Sequence, residues 1–527
     1  MNLSLKSLYK QLLLIGLISC LGIIVYSDSF LCSFHLDDTA SIVKNLFIRN
    51  IQDLQGIWNF WPCRFITYLS FALNYHFSGP NVVSYHLFNV TIHVVSAILV
   101  WWLTLLTFST PVMKGNKISQ HGGSIALLAG LIFVSHPIQT EAVTYIVQRA
   151  SSMAALFYLA SLCFYIKSRL PLQPPGLKRF LLSGKDIFYI SSLIMAIMAM
   201  FTKETAITLP LMILLYEYSF LRINNSFNWK PIVPFLGTLM IIPLTMFLTK
   251  SVNFQEMHRI NEPSSGISPL QYLLTQLRVM VTYIRLAFLP FNQNIDYDYP
   301  VFKNIFELPV LGSIIFLTAI LFWAKRMFSK YRLLSFSIFW FFLALLPESS
   351  LLPIRDVIFE HRLYLSLAGY SIFLASGTYY LFGKNALVRA AMVLMMVITC
   401  YSILTYQRNK VWSDNITLWK DSAAKSFHKV RPHNNLGLAY FDQGDLIQAI
   451  SEYDEAIKAG PNVANPYINR GIAYAKLGNF NQAMSDFNKS IEISPQNGMA
   501  YSNRAILFSQ IKDYNNANAG EQKVEIK

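Results

Sequence analysis

Val82-Val-Ser-Tyr-His86-Leu-Phe-Asn89-Val-Thr-Ile-His93-Val-Val-Ser-Ala-Ile-Leu-Val-Trp-Trp-Leu-Thr-Leu-Leu-Thr-Phe108 runs for 27 residues without an acid or a base of the Lys/Arg kind. As a helix it is roughly 40 Å long, more than the ~30 Å hydrocarbon core of a bilayer. This stretch decides the fold class: the chain crosses a membrane. Outward from it lie further apolar segments near residues 8–26, 123–136, 143–166, 186–201, 205–221, 231–249, 271–291, 304–324, 331–349, 364–383 and 387–406. Lys6 and Lys10 precede the first, and no small-residue cleavage site follows it, so it reads as a retained anchor.

Composition agrees. The 527 residues are 54% hydrophobic and 13% charged, with a mean hydropathy of +0.39; a soluble domain carries roughly 25% charged residues. Residues 408–527 hold 14 Lys and Arg against 12 Asp and Glu, an ordinary soluble balance. Residues 1–407 hold 29 against 16, so most of the net +15 lies in the apolar part. A cytosolic enzyme is excluded, and no nucleic-acid partner is expected. The five cysteines form no CxxC and no zinc-ligand spacing. Cys32 and Cys63 share one predicted external segment, and spacing alone leaves their pairing open.

Basic residues set the orientation. Lys6 and Lys10 place the N-terminus in the cytoplasm, and Lys114 with Lys117 mark the next inner loop. Lys167 to Lys185, Arg222 with Lys230, Lys325 to Arg332, and Lys384 with Arg389 mark the others. The segment 271–291 carries Arg278 and Arg285 in mid-run. Charge at the bilayer centre is costly, so this segment reads as interfacial or re-entrant. About 11 crossings remain, and the tail lies outside; with twelve crossings it would lie in the cytoplasm. Of the 16 acids before residue 408, only Asp186 and Glu217 fall on the inner side. Solvated loops account for that gathering, and so does an external active site.

The tail has a period of 34. Leu436-Gly437, Tyr440, Ala449, Tyr453, Ala456 and Pro461 are answered by Arg470-Gly471, Tyr474, Ala483, Phe487, Ser490 and Pro495. A third copy starts at Arg504-Ala505 and Phe508, then Ala517. Small and aromatic residues at these offsets match the tetratricopeptide repeat, whose stacked helix pairs form a surface for extended partners. Trp419 and Ala423 read as one helix of a degenerate repeat. The expected organisation is a membrane domain over 1–407, a linker with that degenerate helix over 408–429, and three repeats over 430–527.

Several polar residues stand out against the apolar background. Asp37 and Asp38 follow the first span. One acid suffices as an N-cap before Thr39-Ala40-Ser41; a second carboxylate there suits a general base for a hydroxyl. His86, Asn89 and His93 share a helical face and read either as metal ligands or, in preference, as a polar stripe lining a cavity. Glu141 and Arg149 follow His136-Pro137, and an arginine so far into an apolar run needs a partner or an anion. Lys203-Glu204 reads equally as a local ion pair. Arg355, Glu360, His361 and Arg362 stand just before a span, where arginine suits a lipid phosphate or serves as an interfacial anchor. No Walker loop, dinucleotide fingerprint or serine elbow occurs.

The order Asp37-Asp38, Arg64-Phe-Ile-Thr, Asn74-Tyr75, Tyr85-His86-Leu-Phe-Asn89, His136-Pro137, Thr140-Glu141, Arg149, Lys203-Glu204, Glu360-His361-Arg362-Leu-Tyr364, then repeats, resembles the transmembrane and tetratricopeptide-repeat O-mannosyltransferases and their bacterial relatives. The resemblance implies an all-α fold: a polytopic bundle of the C-type glycosyltransferase kind followed by a short repeat solenoid. It implies Asp37 and Asp38 as catalytic residues, and Arg149, Lys203, Arg355, His361 and Arg362 as donor phosphate ligands. Arg64, His86, Asn89, Glu141, Glu204 and Glu360 are expected at the substrate. The implied donor is a polyprenyl-phosphate sugar, mannose favoured, and the acceptor a hydroxyl of a protein or glycan. No cofactor is required and no metal site is expected, although some C-type enzymes use a divalent cation. The short repeat array points to a bacterial inner membrane with periplasmic repeats that bind acceptor or a protein partner; the alternative is the endoplasmic reticulum with lumenal repeats. Competing readings are a non-catalytic membrane scaffold and a transporter of lipid-linked sugar.

Overall fold

The computed structural model describes residues 5–171, 183–222, 227–249, 267–349, 353–354, 356–382 and 386–511, and these contain helices and turns but no strand. Among them six helices are long and apolar enough to cross a membrane: Leu8–Val25, Val82–Phe108, Lys117–Ser135, Ile146–Arg169, Leu308–Met327 and Val388–Val411. Their burial separates centre from rim. The windows within Val82–Phe108 and Ile146–Arg169 are 72% and 78% buried, while those of Leu8–Val25 and Leu308–Met327 are only 17% and 22% buried, so the latter pair turns its apolar surface outward. Gly22 and Gly130 permit the central contacts, because a Cβ on Gly22 would meet Val94 and Val134 within 3 Å, and one on Gly130 would meet Ile18 at 3.0 Å.

Two other apolar segments depart from simple spans. The segment 231–249 divides into Val233–Thr238 and Ile241–Leu248, where Pro234 and Pro243 each remove a helix donor. The segment 271–291 forms the amphipathic helix Pro269–Phe288, begun by a Ser268/Gln271 capping box. Its buried Tyr272, Gln276 and Tyr283 donate to the carbonyls of Glu348, Val357 and Phe359 at 2.6–2.8 Å. Those three bonds tie the helix to the residues around Glu348, Val357 and Phe359, which carry part of the site.

The chain divides into two compact units: residues 1–293 with 300–410, and residues 294–299 with 411–527. The second unit therefore takes in a six-residue stretch from an interhelical loop, which no contiguous boundary includes. Within it Asp296, 3% exposed, pairs with Lys429 and Arg431 at 2.5 Å. The helices Asn415–Lys425, Val430–Gln443, Leu446–Ala459, Ala464–Lys476, Phe480–Ile493 and Gly498–Gln510 follow. Trp419 and Ala423 are buried; Ala517 lies outside the described residues. Gly437 and Gly471 let Tyr453 and Phe487 approach to 2.6–2.7 Å of where a Cβ would stand. Gly444 and Gly478, also 34 apart, close their helices at φ +86° and +79°, the left-handed turn that favours glycine. Arg470 staples the array by pairing with Asp454 and Asp486 at 2.6 and 2.7 Å.

Candidate active site

The two acids after the first span separate. Leu36 takes a left-handed backbone, φ 44°, a conformation that costs a non-glycine residue roughly 1–2 kcal/mol. The turn buries Asp38 completely and leaves Asp37 exposed. Asp38 does not cap the following helix through its side chain. Its Oδ2 accepts from the His35 N–H at 3.0 Å and its Oδ1 from the Val147 N–H at 2.7 Å. Burial raises this carboxyl from 3.8 to about 7, against the pull of those bonds, and Asp37 adds to the rise. The N–H of Asp37 donates to Tyr145 Oη at 3.0 Å. Asp38 thus pins the loop, and Asp37 presents its carboxylate to solvent.

Lys203 and Glu204 form no local pair, contrary to one sequence reading. The Lys203 backbone is extended, φ −156° and ψ 145°, and consecutive side chains on extended backbone diverge. Lys203 Nζ donates to Glu348 Oε1 and to Ser151 Oγ, each at 2.9 Å. Glu204 instead receives Arg64 Nε and Nη2 at 3.0–3.2 Å. Burial pushes Glu204 up, and the Arg64 guanidinium more than offsets it, leaving the carboxyl below its usual range. Arg64 also lies 4.4 Å over the ring of Trp61, which is 41% exposed and stacks on Tyr68.

The Glu360–Leu363 turn rests on Glu141. Glu141 Oε1 meets His361 Nδ1 at 2.7 Å, and Oε2 accepts the N–H groups of Glu360 and His361 at 2.8 and 3.3 Å. Burial lifts Glu141 to about 7. Burial, then the neighbouring Lys203, drives His361 well below the usual imidazole value. Arg362 donates to the carbonyls of Val357 and Asp356 at 3.0 and 2.8 Å. Gln293 bridges Pro137 O and Glu360 Oε2 at 3.0 and 2.8 Å. Glu141 and Glu360 thus support the turn from beneath, whereas Arg64, Lys203, Arg362 and Glu348 all lie within electrostatic reach of His361.

Other residues expected at a substrate are held inside the protein. Arg149 is 0% exposed; Nε donates to Asn89 Oδ1 at 2.6 Å, Nη1 to Asn74 Oδ1 at 2.6 Å and to Ser70, and Nη2 to Tyr85 O at 3.1 Å. Phe71 and Phe88 each lie 4.5 Å from its guanidinium carbon. Its donors meet helix groups, and none is exposed to a phosphate. His86 reaches Cys32 O at 3.0 Å, Asn89 donates to Val143 O at 3.0 Å, and His93 bonds Tyr364 Oη at 2.8 Å. All three are fully buried, and through these bonds the stripe joins its helix to its neighbours. Arg355 lies outside the described residues. Cys32 and Cys63 form no disulfide with each other, and Cys32 Sγ donates to Asp28 O at 3.6 Å. Among the described residues no group of three or more His, Cys, Asp or Glu could hold a metal ion.

Three residues at this site were not singled out in the sequence. Glu348 is separated by 145 positions from its partner Lys203; an acid closing the apolar segment 331–349 was the available signal. Trp61 and Tyr145 carried no signal beyond being aromatic.

The fold and site define an integral membrane helix bundle with polar groups gathered around its interhelical loops and a tetratricopeptide-repeat tail. Residues 437–478 match the family described as TPR repeat, and residues 464–497 the Tetratricopeptide repeat. The homologues along most of the chain are protein O-mannosyl-transferases, in line with the resemblance read from the sequence. The chain is 24% identical to protein O-mannosyl-transferase TMTC3 of Homo sapiens over 88% of its own length and 52% of that protein's. It is 23% identical to protein O-mannosyl-transferase F38B6.6 of Caenorhabditis elegans, over 84% of this chain and 62% of that one. It therefore spans about half the length of the human relative and somewhat more of the nematode one. Among solved structures, a crystal structure of MamA protein is 15% identical over 40% of this chain and 89% of that chain, with a TM-score of 0.20.

Proposed function

We propose that this chain is a membrane glycosyltransferase that moves a sugar, mannose favoured, from a polyprenyl-phosphate donor to a protein hydroxyl. The observation that supports this most is the exposed Asp37 beside a cationic group. Tyr68 lies within electrostatic reach of Asp37, Arg64 and Glu204 alike, which ties the loop acid to the basic cluster. Arg64, Lys203 and Arg362 face two carboxylates, Glu204 and Glu348. With Asp37 as a third carboxylate the group is electrically balanced, and its cations are the groups that the phosphate of a phosphodiester donor would meet.

The reaction follows from that charge pattern. The acceptor oxygen attacks the anomeric carbon from the face opposite the phosphate, which inverts that centre. The carbon–oxygen bond to phosphate breaks, and the hydroxyl proton passes to the Asp37 carboxylate. The departing polyprenyl phosphate gains a second negative charge, which Arg64, Lys203 and Arg362 stabilise in place. Asp38 holds Asp37 in position, and the exposed Trp61 ring offers a flat face to a sugar. Loop charges favour an external site, in a bacterial inner membrane, with repeats that bind acceptor or partner. The family names of the relatives support protein O-mannosylation. The test is transfer of label from polyprenyl-phosphate mannose into membranes holding wild type or Asp37→Asn. Label that appears only with wild type supports the reading. No transfer from a panel of lipid-linked sugars overturns it in favour of a scaffold.

A further inference from the structure

Between the helices Leu209–Tyr216 and Arg332–Leu345 lies a cavity of about 840 Å³, with Leu215, Tyr218, Phe339, Phe342 and Leu346 in its wall. Leu215, Tyr218 and Phe339 also line a second cavity of about 620 Å³, which is bounded further by Lys325 and Arg326. The shared residues make the two a continuous groove, apolar along most of its course and basic at one end. Arg222 borders the larger cavity, and its Nε is buried without a hydrogen-bond partner. Its guanidinium lies 5.5 Å over Tyr218, which stacks on Phe328 at 5.6 Å. Arg332 lies 5.1 Å over the other member of that pair and donates to Ser219 O at 3.2 Å. Aromatic rings thus brace the basic end.

Arg222, Lys325 and Arg326 all belong to segments that the positive-inside rule places at the cytoplasmic face. A groove with that polarity fits an amphiphile with apolar chains and an anionic head at the cytoplasmic surface. We propose that it holds one anionic phospholipid of the cytoplasmic leaflet, with its headgroup phosphate between Arg222, Lys325 and Arg326. Charge complementarity selects this occupant. A lipid with an uncharged head would leave three cations unmatched, and a zwitterionic lipid brings a cation of its own; a polyprenyl phosphate shares the anionic head and is told apart by the mass of the adduct. This inference goes beyond the transferase reading and does not depend on it.

The test is native mass spectrometry of the full chain in mild detergent, with phosphatidylglycerol and phosphatidylcholine as probes after delipidation. One phosphatidylglycerol is expected to remain bound where phosphatidylcholine is lost. Each basic side chain near a leaflet surface adds roughly fivefold to anionic-lipid affinity. The double variant Lys325→Gln/Arg326→Gln, both exposed and so tolerant of exchange, is expected to weaken retention roughly thirtyfold. Arg222→Gln is expected to weaken it further, and Lys114→Gln/Lys117→Gln, elsewhere on the same expected face, to leave it unchanged. Equal retention of both lipids overturns the proposal. So does undiminished retention in the Lys325/Arg326 variant, equal loss in the Lys114/Lys117 control, or an adduct with the mass of a prenyl lipid.

Discussion

Asp37→Asn keeps the shape of the side chain and removes its capacity to accept a proton. The backbone bond from Asp37 N–H to Tyr145 Oη survives the exchange, because it uses no side-chain atom of Asp37. The residue is exposed, so stability is expected to change by about 0.5 kcal/mol or less. General-base catalysis contributes roughly 10²–10⁴-fold, equivalent to about 3–5.5 kcal/mol of barrier. Asp38→Ala should behave oppositely. It strips the acceptor from the His35 and Val147 N–H groups, at 3.0 and 2.7 Å, in a fully buried site. Each orphaned buried donor costs about 1–3 kcal/mol, so this variant is expected to melt several degrees lower. Both are compared by label transfer and by thermal melting of the detergent-solubilised chain. The division of roles is refuted if Asp37→Asn keeps more than about a tenth of wild-type transfer. It is refuted equally if Asp37→Asn lowers the melting temperature as far as Asp38→Ala does.

Lys203→Met leaves the Glu348 carboxylate buried without its cation, and is expected to cost about 3–5 kcal/mol. Adding Glu348→Gln should restore most of the melting temperature but not transfer, which separates support from chemistry. The Asp38 carboxyl has a folded value near 7 against an ordinary 3.8, so the folded state holds the extra proton. Its contribution to stability is complete below 3.8 and is lost as pH rises through about 7; Asp38→Asn should flatten the melting curve over that window. In the tail, a Cβ at Gly437 would stand 2.6 Å from the Tyr453 ring and 3.1 Å from Ala449 O. Gly437→Ala is expected to destabilise by about 1–3 kcal/mol, whereas Gly498→Ala, with open space around it, should be near neutral by circular dichroism melts.

How far the site was legible depended on the kind of interaction. Charged and polar residues inside apolar surroundings announce themselves by their cost, which makes Asp38, Glu141, Lys203 and Arg362 all legible in the sequence. Their partners were another matter. Lys203 and Glu204 are adjacent in the chain, yet the extended backbone sends one to Glu348 and the other to Arg64. The sequence asks of Arg149 a partner or an anion, and carbonyl and amide oxygens from Ser70, Asn74, Tyr85 and Asn89 satisfy it. Those oxygens carry no distinctive pattern in the sequence, so nothing local could show that the arginine was already occupied.

The apolar segments, the charge asymmetry of the loops and the 34-residue period are determined by the sequence alone, whereas which segments form helices long enough to cross a membrane is seen only in the structure. Each rests on a local rule: length against bilayer thickness, basic residues against translocation, or the packing of small and aromatic residues within one repeat. Which acid of the Asp37-Asp38 pair meets solvent was decided only by the tertiary structure. One left-handed residue, Leu36, and one N–H donated by Val147, 109 positions away, turn Asp38 inward and leave Asp37 outside. A bond between groups so far apart in the chain exists only once the helices have packed, and it assigns two neighbouring, chemically identical side chains to different work.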